Sequence, residues 1–354
     1  MKKFVIAAIL LSLAADHLFS CTTFCFADKG QIVFGRNYDW DIGNGMLMIN
    51  KRGMSKSAML QDDERSAKWI SKYGSLTFNQ YGREFPMGGM NEKGLVVELM
   101  MLNESIYPEH DRRPVVGCLE WIQYQLDNSA SIADVIQKSQ AIRISSRVKL
   151  HFLVSERSGA CITVEFLNGR FTPHYGTNLP VAVLTNDTYD RSLVYLRTLD
   201  GFGGSSPTPS GIGSLERFGR AATLLRNYQS SSNKDIVSYS FDVLANVAQG
   251  DYTKWSIVYD PVNLRAHFRT TANTQIKRVD LSKFDFSCAT PVKVLNINST
   301  QLGDVSQRFI KYSTSINRNL VEQSYRNTPF LANTPETEID LVSKHPETFS
   351  CLAE

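Results

Sequence analysis

The sequence predicts an α+β fold dominated by antiparallel sheet, and three observations carry that prediction. Strand-like runs open at Cys21 to Arg36, fill Val148 to Asn186 and return between Lys254 and Leu281. Helical runs stand in blocks between these stretches instead of alternating with single strands. Short turns rich in Gly, Asn, Asp and Ser separate the strand-like runs. Blocks of strands and blocks of helices indicate α+β, and short turns join antiparallel neighbours.

In chain order, residues 1–20 read as a secretory signal, with Lys2 and Lys3 as a basic n-region and Phe4 to Ala15 as an apolar h-region ending near Ser20. The run is too short for a transmembrane span, which takes roughly 20 apolar residues, and no later segment reaches that length. The expectation is an exported chain, periplasmic or secreted, with residues 21–354 forming one domain. CTTFCF and QIVFGR, separated by Ala27-Asp28-Lys29-Gly30, predict a β-hairpin in which Gly30 supplies a positive φ. A turn centred between Asp28 and Lys29 sets Cys21 opposite Arg36.

Helices are predicted over Pro114 to Leu126 and Ile132 to Gln140, the second opened by a capping box of Ser131 and Asp134. LHFLV, ACITVEF, GRFTPH and PVAVLTN, turning at Ser158-Gly159 and Asn168-Gly169, predict an antiparallel meander with period-2 alternation. Gly201 to Gly213 (GFGGSSPTPSGIG) reads as a mobile surface loop. Helices then fit Leu215 to Tyr228 and Lys234 to Gln249, and strands fit Lys254 to Tyr259, Arg265 to Thr270 and Gln275 to Leu281. Beyond Tyr312 the chain is polar and weakly periodic, and no regular element is assigned. Tyr312 to Tyr325 suits a packed terminus or an assembly arm, with the packed terminus preferred.

A formal charge of +3, with two lysines and one aspartate inside the first 20 residues, leaves the remainder close to neutral and gives no footing for nucleic acid. Six widely spaced cysteines permit disulfides in an exported chain without forming a dense framework, and Cys161 suits a buried core thiol. There is no Gly-x-Ser-x-Gly elbow, phosphate loop or His-Glu-x-x-His. His110, His151, His174, His267 and His345 are scattered, so no metal site is read, and the glycines at 201–213 match no dinucleotide fingerprint. No cofactor is implied.

Cys21 draws attention by its position. Cleavage after Ser20 makes it the first residue of the mature chain, where one residue supplies a thiol nucleophile and an α-amine base. Leu18-Phe19-Ser20-Cys21 also loosely resembles a bacterial lipobox, and a lipidated sulfur attacks nothing. Nucleophile, lipid anchor and ordinary strand cysteine therefore stand as three readings. In GRNYDW, Arg36 beside the thiol favours the thiolate and lowers its pKa from the unperturbed ~8.5. Asp39 is placed to accept a hydrogen bond from the new α-ammonium. A surface ion pair at a strand end accounts for the same two residues.

CTTFCF and GRNYDW are followed by GMNEKGLVVELMMLNES (Gly89 to Ser105), VLTND (Val183 to Asp187), LERFGRA (Leu215 to Ala221), KWSIVYD and VDLSKFDFS. In order and spacing these blocks resemble the choloylglycine hydrolase and penicillin V acylase family of N-terminal-nucleophile amidases, from Cys21 to about Ser287. In their details they are most similar to its exported Gram-negative branch. The resemblance implies a four-layered αββα fold with two antiparallel sheets between helical layers. It implies hydrolysis of linear non-peptide C–N amides, on conjugated bile salts or penicillin V-like acyl amides, with acyl-homoserine lactones as a variant of the same chemistry. A lipid-anchored surface protein that kept the fold without catalysis is the alternative. The assembly implied is a homotetramer.

By the same resemblance Cys21 is the nucleophile, Arg36 flanks its thiol, Asp39 bonds its α-amine, Asn186 helps form the oxyanion hole and Arg217 supports the charged site. Read alone, Asn186 is a turn residue or a glycosylation sequon with Thr188, and Arg217 is an exposed helix arginine. One departure concerns Met101, where many members carry an asparagine or tyrosine; methionine cannot donate, so a backbone N–H or Asn103 is left to do so. Trp40, Met100, Met101 and Asn103 are the candidate substrate-contacting residues, although an apolar run at 100–102 also suits plain core.

Overall fold

The computed structural model describes residues 21–59, 65–228 and 234–352. The expected leader, on residues 1–20, lies outside them. A hairpin opens the fold, with β1 at Thr22–Asp28 and β2 at Gln31–Asp39. Its two-residue turn is Lys29-Gly30, both left-handed at φ 47° and 81°, the geometry whose twist matches the flanking strands. The turn thus sits one residue later than the sequence suggested, because both central residues need positive φ and Gly30 takes the second place. Arg36 consequently faces Thr23, not Cys21. A two-residue slip keeps every side chain on its face, so Cys21 and Arg36 still share one.

Two large sheets stack. The first has seven strands in the order Val183–Leu184, β1, β2, Thr253–Asp260, Arg265–Thr270, Lys277–Asp280 and Gly303–Asp304. The second has nine, in the order Arg170–Tyr175, Cys161–Leu167, Leu150–Ser155, Val96–Met101, Pro86–Asn91, Ser75–Asn79, Met46–Asn50, Lys293–Asn296 and Ile310–Lys311. Pairing is antiparallel apart from the short parallel contact of Lys277–Asp280 with Gly303–Asp304. Alternating side chains fill the space between the sheets: Phe78 of the second packs edge-on against Tyr259 and Phe268 of the first, with centroids 6.0 and 5.7 Å away. Gly35 admits the Phe24 ring across the hairpin, since a Cβ there would lie 2.2 Å from it.

The predicted meander is correct for three strands and wrong for the fourth. Val183–Leu184 leaves the second sheet and pairs with β1, Thr23 opposite Leu184. The chain turns there through a 3-10 segment at Gly176–Asn178, with Gly176 at φ 56°, and β1 gains partners for groups that an edge would leave bare.

Helices α1 (Cys118–Asn128) and α2 (Ile132–Ala141) are joined by the expected Ser131–Asp134 capping box. Helix α1 starts later than predicted because Val115–Val116 pairs with Arg143–Ile144. It covers the outer face of the second sheet through the strands Pro86–Asn91 and Val96–Met101. Helix α3 (Tyr189–Leu196) packs against α4 (Ser214–Arg226), and α4 and α5 (Ile236–Asn246) cover the first sheet over Val183–Leu184, β1, β2 and Thr253–Asp260. Helix, sheet, sheet, helix is the four-layered αββα arrangement.

Past Tyr312, where no element was assigned, lie α6 (Thr314–Asn327) and α7 (Glu336–Lys344). Helix α6 docks on the turn after Ser75–Asn79: Arg83 N–H donates to Asn317 Oδ1 and Ser324 Oγ donates to Gln80 O. Its buried stripe of Asn317, Leu320, Val321 and Ser324 is half polar, which hid its period from a hydrophobicity reading. Cys351 is joined to Cys288 by a disulfide, and Cys161 is buried with a free thiol. No helix among the described residues is long and apolar enough to cross a membrane.

Candidate active site

Cys21 lies just ahead of β1 and is 3 % exposed. Side chains of a strand alternate between faces, so the groups around it divide between the two sides of the first sheet. Between the sheets, Arg36 donates from Nη1 to the Glu98 carboxylate and to Met87 O at 2.7 Å, and from Nη2 to Leu99 O at 3.4 Å. Its guanidinium carbon lies 4.8 Å from the Tyr38 ring centroid. Tyr259 O–H donates to Glu98 Oε1 at 2.6 Å. Arg36 and Glu98 are both inaccessible to solvent. Burial pushes the Glu98 carboxyl up to about 7, with Arg36 and the Tyr259 bond pulling the other way.

Arg36 does favour the Cys21 thiolate, as its place in the sequence suggested, but the net direction is the reverse of that expectation. Burial raises the thiol above its usual range, and Arg36 only partly offsets it. A nearly inaccessible sulfur loses more hydration than one guanidinium, itself paired to a carboxylate, returns.

On the helix side stands a second buried arginine. Arg217, near the start of α4, donates from Nη1 to Cys21 O at 2.8 Å and Thr22 Oγ1 at 2.6 Å, from Nη2 to Asn186 Oδ1 at 3.0 Å, and from Nε to Ile212 O at 3.0 Å. Burial lowers it to about 10, with Asp39 opposing that shift. Asn186 completes its orientation by donating from Nδ2 to Met101 O at 3.0 Å. An amide nitrogen carries two N–H groups, so one remains. Asp39 lies on this side too: Thr253 Oγ1 donates to its Oδ1, while its Oδ2 is buried without a partner among the described residues. Burial pushes its carboxyl up to about 7, against the Thr253 bond and the two arginines. The Cys21 sulfur sits 3.9 Å from the Asp39 carbonyl oxygen.

The five residues assigned catalytic roles from the sequence therefore converge on one point at the end of β1. Residues 21–294 match the family described as linear amide C–N hydrolases, choloylglycine hydrolase family. This chain belongs to that family.

Among relatives of this choloylglycine hydrolase family chain, the penicillin V acylase of Pectobacterium atrosepticum is 25 % identical over 331 residues, covering 80 % of this chain and 86 % of the relative. The structure of penicillin V acylase from Agrobacterium tumefaciens superposes with a TM-score of 0.71 at 26 % identity, covering 83 % of this chain and 98 % of that one. A cysteine-to-alanine mutant of conjugated bile acid hydrolase from Clostridium perfringens shares the fold, with a TM-score of 0.64 at 18 % identity over 80 % of this chain and 98 % of that one. The protein is a hydrolase of linear amides with the N-terminal-nucleophile fold.

The four candidate substrate-contacting residues of this family member do not form one cluster. Trp40 is buried and donates from Nε1 to Tyr81 Oη at 2.7 Å. Met100 is fully buried between the sheets, accepting from Thr23 Oγ1 at 3.3 Å. Met101 is half-buried and engages Asn186 through its carbonyl. Asn103 is exposed, and its carbonyl accepts from Lys149. No group of three or more His, Cys, Asp or Glu among the described residues is arranged to hold a metal ion.

Several groups that hold the site were not read from the sequence. Glu98 had a signal: a carboxylate inside the apolar run Val96 to Leu102 must find a partner when buried. Thr253 and Thr22 had none. Behind Asn186, His151 Nε2 donates to Thr185 O at 2.7 Å, and its Nδ1 lies 3.2 Å from Glu165 Oε1, which also accepts from Tyr189 N–H.

Proposed function

We propose that the mature protein begins at Cys21, exported through residues 1–20 as in the Gram-negative branch of the family, and cleaves linear acyl amides of the penicillin V type. The observation that carries this reading is Asp39 Oδ2, a buried carboxylate oxygen without a partner among the described residues, on the residue whose carbonyl the Cys21 sulfur touches. Such an oxygen suits a newly freed ammonium, and a positive charge beside it restores ionisation to a carboxyl that burial has pushed up. The substrate class leans on penicillin V acylases at 25 and 26 % identity, each covering at least 80 % of this chain.

In this mechanism the α-amine of Cys21, with an unperturbed pKa of about 7.7–8.0, takes the thiol proton near neutral pH. The sulfur attacks the amide carbon and the carbonyl oxygen becomes an oxyanion. The spare N–H of Asn186 Nδ2 and a backbone N–H receive it, while Arg217, held on Asn186 Oδ1, keeps the amide nitrogen turned the right way. The α-ammonium returns its proton to the leaving amine as the C–N bond breaks, leaving a thioester. Water, deprotonated by the same amine, then attacks the thioester and releases the acid and the thiol.

Intact mass of the purified protein, combined with turnover of penicillin V, glycine- and taurine-conjugated bile salts and long-chain acyl-homoserine lactones, tests the proposal. An unmodified N-terminus at Cys21 with penicillin V as the best substrate is expected. A diacylglyceryl adduct on Cys21 rules out the nucleophile, and preference for a bile-salt conjugate moves the substrate class. Cys21→Ser should lower turnover at least ~10³-fold with the fold retained; unchanged turnover refutes the assignment.

A further inference from the structure

We propose that Glu98 is a positioning residue that acts through Arg36 and sets how much positive charge reaches the Cys21 sulfur. It lies inside the Gly89–Ser105 block without a role assigned to it there, and its carboxylate hydrogen bonds among the described residues are to Arg36 and Tyr259. Its partners form a chain across the two layers: Tyr259 of the first sheet donates to Glu98 Oε1, Glu98 Oε2 receives Arg36 Nη1, and Arg36, on the same face of the first sheet as Cys21, acts on its thiol. The fold makes space for the carboxylate at one defined place. Glu98 pairs across its sheet with Gly88, and a Cβ at Gly88 would lie 1.9 Å from Glu98 Oε2.

Among the described residues, titratable groups from both sheets and from the helix side act on this chain. Glu98 meets Arg36 from β2 and Tyr259 from Thr253–Asp260, while its partners within its own sheet, Gly88 and Leu153, do not titrate. Arg36 meets Glu98, Cys21, Tyr38 and Tyr259. The thiol meets Arg36 and Asp39, and interacts with Tyr38 and, from the helix side, with Arg217. Arg36 is further anchored by two backbone carbonyls and the Tyr38 ring, so removing the Glu98 charge leaves the guanidinium in place and less neutralised. The thiolate then gains stability. Conversely, an ionised Glu98 holds the nucleophile closer to the neutral thiol, which leaves its proton for the α-amine to take.

The inference rests on Cys21 being the nucleophile. Its test is the pH dependence of Cys21 alkylation by iodoacetamide in the processed enzyme, followed by peptide-resolved mass spectrometry, beside the pH profile of kcat/KM on penicillin V. In Glu98→Gln, which keeps the shape and an acceptor for Arg36, the alkylation midpoint should fall by about one pH unit, equivalent to about tenfold more thiolate at a fixed pH below it. Tyr259→Phe removes the hydroxyl that favours the ionised carboxylate, and should shift the midpoint the same way by less. It decides the matter if the glutamine variant does not fold. A midpoint that stays put or rises overturns the inference. If alkylation shifts as expected while the kcat/KM profile does not, the Glu98 coupling stands and the nucleophile assignment falls.

Discussion

Two arginines, each without solvent exposure, approach Cys21 from opposite faces of the first sheet, and their surroundings differ in kind. Arg36 has an anion of its own in Glu98, which holds it above its ordinary value in spite of burial. Every hydrogen bond that Arg217 makes among the described residues ends on a neutral oxygen, and burial lowers it. A paired charge is adjustable through its partner, whereas an unpaired one surrounded by carbonyl and hydroxyl oxygens works as a fixed fork. On the proposed mechanism the two faces divide the labour, one tuning the sulfur and the other fixing backbone and amide geometry.

The sharpest way to break this comparison is Arg217→Ala. It strips donors from Cys21 O, Thr22 Oγ1, Asn186 Oδ1 and Ile212 O together. A fall in kcat of about 10³-fold is expected, along with ~3 kcal/mol or more of stability by urea unfolding, at ~1–3 kcal/mol per buried group left unpaired. Arg217→Lys should recover little, lacking the fork. A loss confined to KM would show that Arg217 binds substrate instead of holding the site.

Gly88→Ala probes the other face. The new Cβ overlaps Glu98 Oε2, and overpacking of this kind costs about 1–3 kcal/mol. Thermal melting should show that loss, and in a chain already carrying Glu98→Ala the same Gly88 substitution should cost less, because the obstructing carboxylate is gone. Additive losses in the double variant would place the strain elsewhere.

A smaller effect concerns pH. Glu98 is pushed up to about 7 from an ordinary 4.5, so between those values the folded state holds a proton that the unfolded chain has released. Stability therefore falls as pH rises from about 4.5 to about 7. Glu120 and Asp127 contribute with the same sign. Glu98→Gln should reduce, without abolishing, the difference in melting temperature between the two ends of that window. An unreduced difference would mean that Glu98 stays ionised throughout.

How much of this was legible follows from the range of each interaction. The hairpin and the groups at Cys21, Arg36 and Asp39 depend on neighbours within about twenty residues, and the sequence carried them with only a two-residue error in register. Asn186 and Arg217 lie 165 and 196 residues beyond Cys21, and only the family resemblance joined them to it. The strand Pro86–Asn91 went unread because its signals conflict with strand formation: it carries Gly88 and Gly89, kept small by Glu98 Oε2 and by Leu76 O at 2.4 Å from a would-be Cβ. The residues that hide a strand from propensity are here the ones that admit its neighbours.

One contact has a bearing beyond this reaction. Arg217 grips Cys21 by its carbonyl oxygen, an atom that every amino acid carries. The socket at the end of β1 thus recognises a position in the chain and is indifferent to the side chain that fills it. An exchange at position 21 changes the reagent without dismantling its holder, so serine, alanine or an unnatural nucleophile should seat there in the same pose. That makes the site a mount for testing different reagents against the oxyanion donor proposed for Asn186.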